Sequence, residues 1–327
     1  MEKIGILGGG VWGCALAKLL SLNQVNIFVR DQKLANSINE KKIIPKLKYT
    51  TFNDNVLCSS NIEDLSDVDY LFIALPTQSV REVLSHYQSN NKDLQIIIAS
   101  KGIEIETKLF LSQVVEEIFK TNNISILSGP CFSQEVVQNL PTAVTLASKN
   151  IENFDKINNI INNKNFRLYF SEDLIGCQLG GAIKNIYAIA AGICNGLSLG
   201  ENAKSALITR SFAEIARLGT VLNANPNTLF GLSGLGDLIL TCNSLKSRNT
   251  HFGHLIASQQ QISIEDHLKS QDTTEGYFTV KALANIAEEK NIDMPIMKAV
   301  YNILYNHSDI KDEINQLLER TSKAELS

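Results

Sequence analysis

The sequence predicts an α/β chain: an N-terminal doubly wound sheet domain followed by an all-α C-terminal domain. Three observations predict it. A G-x-G-x-x-G loop separates an apolar run from a helical pattern at the start of the chain. Strand-like and helix-like segments then alternate as far as Phe170, and beyond that point strand signals cease. The domain boundary is therefore expected close to Ser171, giving one domain over 1–171 and a second over 172–327.

Lys3-Ile-Gly-Ile-Leu7 reads as the first strand, Gly8-Gly-Gly10-Val11-Trp12-Gly13 as the loop, and Cys14 to Leu20 as the helix that follows. In a Rossmann-type unit Gly8 makes the tight turn, Gly10 lets a pyrophosphate approach the backbone, and Gly13 packs helix on strand. The first amides and the dipole of that helix then face the phosphates, so 1–171 reads as a dinucleotide-binding domain.

A second strand, Val25 to Val29, ends in Arg30-Asp31. An acidic residue there holds a ribose diol and an arginine accepts a 2′-phosphate. Both are present, so NADP and NAD both stay open. Residues 32–67 are polar, with Pro45 in an expected loop, and carry no legible chemistry.

Asp69 to Leu75 is a buried-strand run stopped by Pro76-Thr-Gln78, and Gln95 to Ser100 is a strand followed by Lys101-Gly-Ile-Glu104. Loops at the carboxyl ends of parallel strands face the ligand crevice, which places Pro76, Gln78 and Lys101 there. Asn123 to Leu127 ends in Ser128-Gly129-Pro130-Cys131-Phe132-Ser133, a turn whose amides suit a ligand. Runs from Pro141 to Ala147 and from Phe166 to Phe170 complete the strand signals.

In the helical half, Leu174 to Asn195 has helical periodicity, and Lys184 shares its face with Gly180, Gly181, Tyr187 and Ala188. A buried ammonium without a partner costs several kcal/mol, so Lys184 either reaches solvent or is held by a carboxylate or an anionic ligand. Ala203 to Leu218 is a further amphipathic helix. Phe230 to Gly236 reads as a glycine-rich turn that places Asp237 at an N-cap, with Thr241 one turn later on the same face. Ser247-Arg248-Asn249-Thr250 offers a guanidinium suited to a bidentate phosphate grip. Gln271 to Gly276 forms another turn, and the tail from Lys311 reads as a solvated charged helix.

Thirty basic against 34 acidic side chains give a net charge of −4, so nothing global favours nucleic acid, and an anion needs a local pocket. With a hydrophobic strand read from Ile4, no signal peptide is expected. Lys184 and Asn185 interrupt the best candidate for the ~18 apolar residues of a membrane span, so no membrane insertion is expected and the chain is placed in the cytoplasm. Six scattered cysteines without a C-x-x-C pair argue for reduced thiols. His251 and His254 lack an evident third ligand, and no metal is expected.

The glycine loop, Lys101-Gly-Ile-Glu104, Ser128-Gly-Pro130, Gly180-Gly-Ala-Ile-Lys-Asn185, Gly231 to Asp237 and Ser247-Arg-Asn249 occur in this order from about residue 3 to about residue 306. Together they resemble the bacterial NAD(P)-dependent sn-glycerol-3-phosphate dehydrogenase family. The resemblance implies reversible reduction of dihydroxyacetone phosphate to sn-glycerol 3-phosphate, the precursor of glycerophospholipids. By similarity Lys184 is the catalytic acid/base, with Lys101 and Asp237 beside it. Gly129, Cys131, Asn185, Thr241, Ser247, Arg248 and Asn249 join them around a phosphorylated triose. Similarity also assigns Trp12, Arg30, Ser133, Arg248 and Glu275 to the cofactor, and with the loop and crevice residues the expected cofactor set further includes Gly8, Gly10, Val11, Gly13, Pro76, Lys101 and Thr273.

Three positions depart from the family pattern: Val11 replaces a small polar residue, Cys131 a Ser or Thr, and Ser133 an Ala. A thiol donates a hydrogen bond less well than a hydroxyl, so Cys131 weakens one side-chain contact. Two other readings stand beside this one, a hydroxyacid or 6-phosphogluconate type of dehydrogenase and a non-catalytic dinucleotide-sensing module. The sequence allows a homodimer without specifying one.

Overall fold

The structure, a computed structural model, describes residues 1–43, 47, 50–258, 263–264 and 274–321. Pro45, expected in a loop, and Gln271 to Thr273, with the cofactor role expected of Thr273, lie outside the described residues. The chain divides into two compact units, residues 1–100 with 110–177, and residues 101–109 with 178–327.

The first unit is built on strands β1 (Lys3–Leu7), β2 (Gln24–Phe28), β3 (Val56–Ser59), β4 (Tyr70–Ile73), β5 (Gln95–Ile98), β6 (Ile124–Ser128), β7 (Thr142–Ser148) and β8 (Phe166–Ser171), in the spatial order β3-β2-β1-β4-β5-β6-β7-β8. The pairings from β3 across to β6 are parallel, β6 and β7 are antiparallel, and β7 and β8 are parallel. Strand β4 and the three isoleucines 96–98 of β5 read as unbroken apolar runs because both faces are covered. Phe72 and Ile97 point to one apolar cluster, while Leu71, Ile73, Ile96 and Ile98 point to the other.

Helices α1 (Val11–Leu19), α2 (Gln32–Lys41), α3 (Val80–Ser85), α4 (Leu111–Phe119), α5 (Ser133–Val137) and α6 (Ile151–Ile161) lie between these strands. The stretch 32–67, unassigned from sequence, contains α2, β3 and a 3-10 turn at Ile62–Leu65. The α2 helix buries only Ala35 and Ile38, so its apolar signal is thin.

The second unit contains α7 (Leu174–Gly196), α8 (Glu201–Val221), α9 (Pro226–Phe230), a π-helical turn (Leu232–Gly236), α10 (Asp237–Cys242), α11 (Arg248–Ala257), α12 (Glu275–Glu289), α13 (Pro295–Tyr305) and α14 (Ile310–Leu318). The first turn of α7 belongs to the first unit because Leu174 and Cys177 pack into its apolar cluster. The division thus falls after Cys177, inside a helix.

Helices α7 and α11 meet backbone to backbone. A Cβ on Gly192 would lie 2.1 Å from the Thr250 carbonyl oxygen, and one on Gly253 would lie 2.0 Å from that of Ile189.

Three sequence expectations are corrected in this half. The α7 helix is long and apolar enough to cross a membrane by length and mean hydropathy (1.2), despite Lys184 and Asn185, but 89% of its most apolar 18 residues are buried inside the protein. Asp237 is the first helical residue of α10 rather than its N-cap, and its side chain makes no cap. The charged tail helix α14 is not wholly solvated, because Glu313 is buried in it.

Candidate active site

Two groups of site residues follow from these elements, one in each unit. In the first unit the glycine loop joins β1 to α1. Gly8 has φ +116°, and a Cβ there would lie 2.5 Å from the Ala74 carbonyl oxygen. A Cβ on Gly13 would lie 1.9 Å from the Gly8 carbonyl oxygen, so only glycine permits this closeness of helix to loop.

Gly10 differs: it is exposed, has an ordinary extended conformation, and nothing lies within 4 Å of where its Cβ would stand. No side chain caps α1 and no acidic residue lies in its first turn. An uncapped helix start beside an open glycine fits a pyrophosphate, which is the test a dinucleotide must pass here.

Of the other residues expected around the cofactor, Val11, Trp12, Arg30, Pro76 and Ser133 belong to this unit, while Lys101, Arg248 and Glu275 belong to the second. Trp12 donates its indole N–H to the Ala99 carbonyl at 3.2 Å. Arg30 is exposed after β2, and Asp31 accepts from the Lys33 amide as the N-cap of α2. Pro76 is exposed after β4. Gly129, with φ +155°, and Cys131 occupy the turn between β6 and α5, Ser133 opens α5, and the Cys131 thiol donates to the Gly129 carbonyl.

In the second unit Lys184 stands at the middle of α7 and is 8% exposed. Its Nζ donates to Asp237 Oδ1 at 2.5 Å and to Thr241 Oγ1 at 2.7 Å. Asp237 is fully buried, and its Oδ2 accepts from Lys101 Nζ at 2.7 Å. Two ammonium groups thus share one carboxylate, and the cluster of Lys101, Lys184 and Asp237 carries a net charge of +1 from its formal charges.

Of the alternatives open to Lys184, solvent, a carboxylate or an anionic ligand, the structure shows a carboxylate, that of Asp237. Thr241 lies one turn after it and donates its own proton back to the Asp237 carbonyl at 2.6 Å. Cys242 beside them is no nucleophile, since burial pushes its thiol up to about 12 in spite of the nearby Lys184.

One residue after Lys184, Asn185 accepts from Asn249 Nδ2 at 3.0 Å, and Asn249 Oδ1 accepts from the Gly276 amide at 2.9 Å. This ties α7 to the first turns of α11 and α12. Ser247 caps α11 by accepting from the Thr250 amide, and Arg248, the first residue of that helix, is exposed. Glu275 opens α12. Lys101, Lys184, Asn185, Asp237, Thr241, Ser247, Arg248, Asn249 and Glu275 all belong to this unit.

Sequence reading gave no separate role to Thr250, whose hydroxyl donates to the Thr241 carbonyl at 2.7 Å. A threonine inside a helix carries no local signal of such a partner.

Family models described as the N-terminus and C-terminus of NAD-dependent glycerol-3-phosphate dehydrogenase match residues 3–154 and 173–315. The chain belongs to that family. Among curated relatives, the glycerol-3-phosphate dehydrogenase [NAD(P)+] of Oceanobacillus iheyensis is 40% identical over 333 residues, covering 100% of this chain and 96% of that protein. The enzyme of the same name from Bacillus mycoides is 39% identical, covering 100% and 98%. Among solved structures, glycerol-3-phosphate dehydrogenase from Coxiella burnetii superposes with a TM-score of 0.91 at 31% identity, covering 98% of this chain and 99% of that one. Family membership thus rests on both halves of the chain.

Proposed function

We propose that this chain catalyses the reversible NAD(P)H-dependent reduction of dihydroxyacetone phosphate to sn-glycerol 3-phosphate, with Lys184 as general acid and base. The observation that carries the residue assignment is the buried Lys184–Asp237–Lys101 cluster, in a chain 40% identical to a glycerol-3-phosphate dehydrogenase. When bound, the nicotinamide supplies the hydride that the ketone carbon accepts. Negative charge then develops on the substrate oxygen.

Lys184 donates a proton to that oxygen, and its amine stays held by Asp237 and Thr241. Lys101 keeps a second positive charge beside the site, so the cluster favours the alkoxide over the neutral ketone. A preorganised donor of this kind is worth about 3 kcal/mol of barrier. In the reverse direction Lys184 takes the proton from the secondary alcohol.

Arg248 and Asn249, at the start of α11, would grip the phosphate, and that remote binding orients the carbonyl. On the cofactor side the open backbone at Gly10 and the uncapped start of α1 would hold the pyrophosphate, with Arg30 placed for a 2′-phosphate. A cytoplasmic role in glycerophospholipid supply fits this reading, and the oligomeric state, including a homodimer, is read by light scattering.

The deciding experiment follows absorbance at 340 nm with dihydroxyacetone phosphate and, in turn, NADH and NADPH. Turnover with at least one is expected. Turnover only with a hydroxyacid or 6-phosphogluconate and the oxidised cofactors NAD+ or NADP+, or cofactor binding with no turnover on any of these substrates, would transfer the assignment to one of the other two readings.

A further inference from the structure

The two working parts of the proposed site lie on different short helices, and one side chain joins them. Asp237 and Thr241, the partners of Lys184, stand on α10, while Arg248 and Asn249 open α11. Thr241 is the next-to-last residue of a six-residue helix, so no later amide of that helix reaches its carbonyl. The Thr250 hydroxyl does, at 2.7 Å. Thr250 is fully buried, and water is no substitute there.

Thr250 is fixed on its other sides as well. Its amide donates to Ser247 Oγ at 3.3 Å, which sets it in the first turn of α11. Its own carbonyl lies against Gly192 of α7, close enough that any side chain at that glycine would collide with it.

The carbonyl it holds belongs to a residue with a directed hydroxyl. The short 2.6 Å bond from Thr241 Oγ1 goes to the Asp237 carbonyl, with a longer 3.5 Å approach to Asp237 Oδ1. The proton is thus turned away from Lys184, and an oxygen lone pair faces the ammonium at 2.7 Å. Rotating the end of α10 would disturb that acceptor.

We propose that Thr250 is a positioning residue that clasps the end of α10 to the first turn of α11, fixing the span between the Lys184 proton donor and the Arg248 phosphate grip. This rests on the function proposed above. The clasp matters most to a substrate that engages both ends at once, so its loss penalises a phosphorylated ketone more than a phosphate-free one, which feels only the disturbed acceptor of Lys184.

The test compares wild type with Thr250→Val and Thr250→Ser, using dihydroxyacetone phosphate and dihydroxyacetone as substrates. In Thr250→Val, kcat/KM should fall about tenfold or more on the phosphorylated ketone and by less than about threefold on the phosphate-free one, with Thr250→Ser near wild type on both. If Thr250→Val does not fold, Thr250→Ala is measured in the same way. Equal losses on the two ketones, or an unchanged kcat/KM in a variant whose Tm has dropped, would reduce Thr250 to a structural hydrogen bond. Absence of activity in wild type would instead overturn the function itself.

Discussion

At the scale of single residues, the glycines of the nucleotide loop separate folding from binding. Gly10 has room for a side chain and a φ that any residue adopts, whereas Gly13 is pressed on the Gly8 carbonyl. Gly10→Ala should keep Tm near wild type and weaken NADH binding, because the added methyl stands where the pyrophosphate approaches. Gly13→Ala should lower Tm and expression. Thermal melts with fluorescence titration of NADH check both, and loss of folding in Gly10→Ala would contradict the assignment.

Asp237 permits an equally direct prediction. Replacing it with Asn leaves two neighbouring ammonium groups without a shared anion. Asp237→Asn should therefore cost about 3 kcal/mol of stability by denaturant titration, in addition to its effect on turnover. A variant as stable as wild type would mean that the pairing with Lys101 and Lys184 contributes nothing net.

Much of this cluster was legible in the sequence. Lys184 stood out because a cation among glycines and alanines needs a partner, and Asp237 and Thr241 shared a helix face. The cap role considered for Asp237 failed because the preceding turn is itself helical, so the first amides of α10 are already engaged.

At the scale of elements, α8 and α13 are joined by a buried carboxylate that sequence reading passed over. Glu214 accepts from the Ile296 and Met297 amides at the start of α13, at 2.7 and 3.1 Å, and from the Tyr187 hydroxyl of α7 at 2.9 Å. Burial pushes it up to about 7 from 4.5, against those three hydrogen bonds and Arg217, which pull it down.

The native state therefore keeps a proton that the unfolded chain releases between pH 4.5 and about 7. Stability should decline as pH rises through that window and level off above it, by roughly 3 kcal/mol at most. Glu214→Gln should be less stable at low pH, through a lost amide bond, yet show a flatter profile between pH 5 and 7 in urea melts. An unchanged slope would show that Glu214 stays ionised in the fold. The α8 sequence hid this residue, since a glutamate in an amphipathic helix ordinarily faces water.

The short pieces hid for related reasons. Edge strand β3 has only four residues, two of them buried, and α2 offers two buried side chains in ten. Neither carries enough apolar periodicity to stand out from a polar loop. The central strands β4 and β5 were plain because burial on both faces leaves Gln95, at the start of β5, as their one polar position apart from the Tyr70 hydroxyl.

For the whole molecule, local pattern located the sheet half and the helical half, but not where the chain passes between them. Lys101 stands three residues past the end of β5, yet the segment 101–109 belongs with the helical unit, its ammonium paired with a carboxylate 136 residues later. No periodicity carries information over that distance. The overall charge of −4 is likewise blind to a buried centre of net +1.

The account stands most directly on Lys184 as the proton donor. The measurement is steady-state reduction of dihydroxyacetone phosphate by Lys184→Ala, beside a titration of its cofactor binding. Turnover should fall about 10²- to 10⁴-fold while cofactor affinity and fold are kept. Turnover near wild type in a folded, cofactor-binding variant would contradict it.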